Sequence, residues 1–276
     1  MTEAADSYLD EWRAARPLRD LLIRFMPVGE RGLPLLLCLQ SELLGTIYAV
    51  DPVPAAARLD WWARELARFG SPGAEHPLSR ALAADARAAR VPASWWPKAA
   101  EDVRAALEAP ASARFADQLA AAEAGSETLA RIESTFLYGP GADFARTRRL
   151  QAVQQLIIAL LHAPRRAGGG ALPLPLAALA RHALDRAALA QPGPARRAAF
   201  AEQCVLLAEA LDAKSLPQGP VAGFRLAEAV HDARALRRAA GAEEPLSELQ
   251  FRRRGLTPGD AWRSWKAMRA GPATSP

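Results

Sequence analysis

An all-α, single-domain helical bundle is the fold this sequence predicts, and three observations predict it. Alanine, leucine and arginine dominate, while β-branched residues are few. Apolar residues recur at helical spacing along nearly the whole chain. No convincing alternating strand pattern, internal repeat or long linker interrupts them. The chain has 276 residues, enough to bury a sizeable core.

The periodicity predicts helices in order. The first two cover 4–14 and 17–26. The third, 31–48, belongs to the most apolar stretch, Leu33 to Val50. That stretch carries Gln40, Ser41 and Glu42 at its middle, and a central charge is costly in a bilayer, so it reads as a buried core helix. A helix over 53–69 follows Asp51 and Pro52 and stops at Gly70. The next, 77–89, starts at His76-Pro77, with proline in its first turn. Helices over 93–108 and 111–137 follow, the latter stopped by Gly139. A helix over 143–163 ends before the Gly168–Gly170 run. Pro175 and Pro194 mark the starts of 175–190 and 195–212. The last three are 219–240, 244–253 and 258–270, within a domain spanning 1–270 and followed by a disordered tail at 271–276. Segments 31–48 and 150–163 are apolar over more than one face. They are the natural walls of an apolar cavity, and their few polar groups are candidates for binding a head group.

Net charge is +5, carried almost wholly by arginine; the lysines are Lys98, Lys214 and Lys266. This balance suits anionic partners such as diphosphates or an acidic membrane surface. The basic residues are spread out rather than blocked with aromatics, which argues against nucleic acid. Cys38 and Cys204 sit in apolar helical pattern with no Cys-x-x-Cys and no Cys/His cluster. They read as small buried hydrophobes in a reducing compartment, with no metal site. The acidic start, MTEAADSYLDEW, is not the pattern of a signal peptide, and a cytoplasmic location is expected. Ser41, Ser134 and Thr135 lack a His/Asp context, so hydrolase chemistry is unsupported.

The stretch DPVPAAARLDWWARELARFGSPGAEHPLSRAL, 51–82, is the most distinctive. With RGLPLLLCLQSELLGTIYAV upstream it resembles the squalene/phytoene synthase family. The pattern is Glu42-Leu43, Asp51-Pro52, Arg58-Leu59-x-Trp61-Trp62 and His76-Pro77 with a following Ala-Leu. LARIESTFLYG, QAVQQLIIALLHAPRRAGGGALPLPLAAL and LTPGDAWRSWKAMRA extend the likeness over roughly 30–270. The resemblance implies an isoprenoid (terpenoid) synthase-type bundle around a prenyl-chain cavity, and head-to-head joining of prenyl diphosphates. The family uses two motifs of DxxxD type, whose i, i+4 carboxylates share a helix face and hold magnesium on the diphosphate.

Both motifs are missing here. At the first, Glu42 is the only acid, with Thr46 at i+4. At the second, the aspartate positions fall on His162 and Arg166, and no Asp or Glu lies between 144 and 184. The chain therefore looks closer to the degenerate branch that includes a mitochondrial complex I assembly factor than to active squalene or phytoene synthases. The resemblance implies a pseudoenzyme: a prenyl-lipid-binding or assembly protein, without catalytic residues or a cofactor. The alternative is an active prenyltransferase with a non-standard site, for which magnesium is expected. The candidate ligand-binding residues are Glu42, His162, Arg165 and Arg166. His162, Arg165 and Arg166 suit phosphate oxygens, or are an exposed basic helix end. Glu42 is a relic ligand, or pairs with Arg31, Arg58 or Arg64. Candidate partners are a prenyl diphosphate or prenyl lipid, a second protein, and an anionic inner-membrane surface. The last is suggested by Arg252–Arg254, Arg263, Lys266 and Arg269 beside Trp262 and Trp265. Trp61 and Trp62 cannot both face one core. His76 reads as the residue that opens its helix, and His182 and His231 as surface or packing residues.

Overall fold

The computed structural model describes residues 3–24, 32–49, 51–166 and 172–254, with 259, 262 and 266 besides. Among these residues there is no strand. The helices are α1 (Glu3–Ala15), α2 (Pro17–Arg24), α3 (Gly32–Gly45), α4 (Pro52–Ala67), α5 (Pro77–Ala83), α6 (Trp95–Glu108), α7 (Phe115–Tyr138), α8 (Ala145–His162), α9 (Leu176–Arg181), α10 (Pro194–Ala210), α11 (Gly223–Ala240) and α12 (Pro245–Arg254). The expected helix 258–270 and the tail 271–276 lie outside the described residues, apart from 259, 262 and 266.

Local chemistry sets several boundaries. The Asp51 carboxylate accepts from the Val53 N–H at 2.9 Å, and Pro52 supplies the preset φ of a first helical residue. Gly139, at φ +92°, closes α7 where an L side chain is strained. Two expected helices are broken by turns that periodicity does not reveal. Segment 77–89 is α5 to Ala83 and then a 3-10 turn at Ala88–Arg90. Between them the Asp85 carboxylate accepts from the Arg87 backbone N–H (2.9 Å) and its guanidinium (2.8 Å), competing with the helix. Segment 175–190 is α9 to Arg181 and then a 3-10 turn at Ala187–Ala190. Here the Leu184 N–H returns to the Leu179 carbonyl and the Ala183 N–H to that of Ala180, a Schellman closure. Ala183 takes the left-handed position, φ +50°, that glycine usually marks. Pro175 is the residue before α9 rather than part of its first turn.

The helices build two apolar clusters. The first gathers α1 to α6 with Leu129, Ile132 and Phe136 of α7. The second gathers α8 to α12 with Leu119 of α7. Cys38 is buried in the first and Cys204 in the second, and burial pushes each thiol up to about 12. Helix α7 packs on both α6 and α8, and α11 packs on both α10 and α2, so these two helices join the clusters. No helix among the described residues is long and apolar enough to cross a membrane.

Candidate functional site

A cavity of about 630 Å³ opens between the clusters, walled by α2, α3, α8, α11 and α12. The two helices that read as apolar on several faces, α3 and α8, both line it. One end is polar. Helix α3 presents Gln40 and Ser41 there, and α8 presents Gln151, Gln154 and Gln155. The i, i+3, i+4 spacing puts the three α8 amides on one face. Farther along, the walls turn apolar at Leu44, Ile158 and Leu161, and His162 stands on the last turn of α8. From Gln151 to His162 is eleven residues, about 16 Å along the helix axis.

The polar end rests on a buried network centred on Glu133 of α7. Arg225 of α11 donates Nε to Glu133 Oε1 at 2.8 Å and Nη2 to Oε2. Gln40 Nε2 donates to Glu133 Oε2 at 3.1 Å, and Gln151 Nε2 to the same oxygen at 3.0 Å. Arg225 also donates to Gln40 Oε1 at 3.0 Å and Gln154 Oε1 at 3.3 Å. Four helices thus meet on one ion pair, whose side chains are 3% and 1% exposed. Burial pushes the Glu133 carboxyl up, but Arg225 and the donated hydrogen bonds outweigh it and hold the group below the usual carboxylate range.

A second ion pair closes the mouth on the α2 side. Arg19 donates to both oxygens of Glu228, at 3.0 and 2.8 Å. Arg253 of α12 donates to Asp232 at 3.0 Å. Arg16 also lines the cavity and has no carboxylate partner within 4 Å among the described residues. Burial and the neighbouring Arg19 push its pKa down.

The structure treats the four sequence-derived candidates differently. His162 lines the cavity. Glu42 is not in its lining; it accepts a hydrogen bond from Arg58 of α4, one of its three anticipated partners. Its charge still reaches Arg16 and Cys38. Arg165 and Arg166 complete a 3-10 turn, Ala163–Arg166, and their side chains lie outside the described part. Arg16, Arg19, Glu133, Gln151, Arg225 and Glu228 were not singled out in the sequence. Two signals pointed toward them: three glutamines on one face of an apolar helix, and a carboxylate inside ARIESTFLY, where burial demands a partner.

Magnesium requires carboxylate oxygens free to turn toward the cation. Glu228 and Glu133 are each held by a guanidinium. Among the described residues no three His, Cys, Asp or Glu side chains group as a metal site would need. The described residues of this cavity do not fit a magnesium–diphosphate centre. No family model matches the chain, and no curated protein matches it.

Proposed function

We propose that this chain is a squalene/phytoene synthase-like protein, of the isoprenoid-synthase type of bundle, that binds a prenyl lipid without joining prenyl diphosphates. The observation that carries the reading is the cavity between α3 and α8. Its volume lies within the ~300–1,000 Å³ of small-molecule sites. Its apolar walls at Leu44, Ile158 and Leu161 suit a prenyl chain, and its polar end suits a head group. Joining prenyl diphosphates begins with loss of diphosphate, whose charge must be neutralised as it leaves. Glu228 in the cavity wall is held by Arg19, and Glu133 behind its polar end by Arg225, so neither carboxylate is free to carry a metal-assisted departure. His162, with Arg165 and Arg166 next along the chain, remains the proposed contact for a phosphate at the far end. A role in assembly of a larger complex follows from the family branch the sequence resembles. The protein would then sit on the cytoplasmic side of the inner membrane, its exposed Phe251 and Trp262 meeting the surface.

The test incubates the purified protein with labelled C15 prenyl alcohol and C15 prenyl diphosphate, with and without magnesium. Bound label and released diphosphate are both measured. The expected result is saturable binding of at least one form, unaffected by magnesium, with no diphosphate released. Magnesium-dependent release with a coupled C30 product would instead establish the prenyltransferase. Absence of all binding would move the search to protein partners.

A further inference from the structure

Arginines Arg16, Arg19, Arg225 and Arg253 line the cavity. Arg19 is paired with Glu228, Arg225 with Glu133 and Arg253 with Asp232. Arg16 alone of these four has no carboxylate partner among the described residues. The Glu42 charge reaches it, but the Glu42 carboxylate accepts its hydrogen bond from Arg58 of α4. The Arg16 side chain is half-buried. None of its nitrogens is among the sealed, unpartnered atoms of the described residues, which sets it apart from Arg19 Nε. Its guanidinium lies within electrostatic reach of Arg19 and Glu228, both of which line the cavity too.

The main chain at this point is pinned. Arg16 links α1 to α2; its N–H donates to the Arg13 carbonyl at 3.1 Å, and its carbonyl accepts from the Asp20 N–H at 3.0 Å. Burial and the neighbouring Arg19 weigh against the Arg16 charge, and an anion seated beside it would offset both. One unmatched guanidinium calls for one negative charge. A diphosphate brings more charge than Arg16 can match, because the other three guanidiniums are already held, and it would also meet the Glu228 carboxylate like charge to like. The two oxygens of a carboxylate fit the fork of a guanidinium. Leu44, Ile158 and Leu161 of the same cavity offer apolar wall to the rest of such a molecule.

We infer that Arg16 holds the head group of the cavity's ligand, and that this head group is a carboxylate on an otherwise apolar chain. The inference rests on the prenyl-lipid reading above and specifies the head group. The test compares binding of the C15 prenyl carboxylic acid, its methyl ester and the C15 prenyl diphosphate at neutral pH. The ester keeps the chain and the carbonyl and loses only the charge. The acid is expected to bind at least about tenfold more tightly than the ester, the scale of a hydrogen bond to a charged group, and more tightly than the diphosphate. Arg16→Gln is expected to remove the acid's advantage and to leave ester binding unchanged. An ester as tight as the acid, or an advantage that survives in Arg16→Gln, overturns the Arg16 assignment while leaving the prenyl cavity standing. A diphosphate tighter than the acid overturns the single-charge head group. If none of the three binds, the prenyl-lipid reading itself falls. The comparison of acid with ester needs no variant, so it decides against the inference even if Arg16→Gln does not fold.

Discussion

His76 shows how much one side chain settles locally. Its Nδ1 accepts from the Leu78 N–H at 3.1 Å and so caps α5. Its ring lies 4.7 Å from that of Trp62 and 4.9 Å from that of Tyr8. Trp62 is buried, and Trp61 beside it is 38% exposed. The Glu65 carboxylate accepts from the backbone N–H of His76 at 2.8 Å, holding the turn from the other side. Burial, aided by Arg58 and Arg80, pushes the His76 pKa down against the pull of Glu65. A protonated Nδ1 would face the Leu78 N–H donor to donor. The folded state therefore binds its proton less readily than the unfolded chain, where histidine titrates near ~6.5. The stabilisation is complete above that value and is lost as pH falls through it toward the lower folded value. His76→Asn keeps a capping oxygen and cannot titrate. Its urea midpoint should fall less than that of the parent between neutral pH and pH ~5. Equal slopes for the two proteins would remove His76 from the account. His76→Ala should cost about 1 kcal/mol at neutral pH by the same measurement.

At the scale of elements, the contact of α6 with α7 depends on Gly125. A Cβ built there would stand 2.9 Å from the Ala106 Cβ, closer than two such carbons pack. Alanine in a helix is favoured over glycine by about 1 kcal/mol, but overpacking costs about 1–3 kcal/mol. The neighbour is itself a Cβ and cannot swing aside. Gly125→Ala should therefore destabilise the protein by about 1 kcal/mol, and the added change Ala106→Gly should recover part of the loss. A stabilised single variant would show that the two helices have slack. The contact also bears on the cavity. Ser126, the next residue, accepts from Gln155 Nε2 at 2.6 Å, so a shift of α7 moves a cavity amide.

At the scale of the whole molecule, the Glu133–Arg225 pair clasps two apolar clusters across a polar seam. Removing one partner strands the other as a buried charge, so Arg225→Met should cost about 3–5 kcal/mol in urea denaturation. Glu133→Leu combined with Arg225→Met should recover much of that loss, because the stranded charge goes with its partner. A cost below about 1 kcal/mol for Arg225→Met would mean the seam is held by packing alone. The pH dependence has a definite sign. The folded Glu133 pKa is depressed, so its contribution is present above the ordinary carboxylate value, ~4.3, and is lost as pH falls through the folded value. Acid unfolding should therefore be less steep in the double variant.

Helix periodicity, the proline starts and the glycine stop at Gly139 are local properties, and the sequence by itself determined them. It also determined that α3 and α8 are too apolar to lie at a surface and that both DxxxD patterns are absent. Local rules failed at 84–87, where Asp85 diverts the backbone, and at Ala183, where an alanine sits in a glycine position. Of the candidate site, His162 was legible as the end of an apolar helix; the polar end was not. Glu133 and Arg225 are 92 residues apart, and Arg19 and Glu228 are 209 apart. Which buried charge meets which depends on how the helices cross, and no short window of sequence encodes that crossing. Only the tertiary structure decided that Glu42 goes to Arg58, that Glu133 goes to Arg225, and that Gln151 gives its amide nitrogen to Glu133.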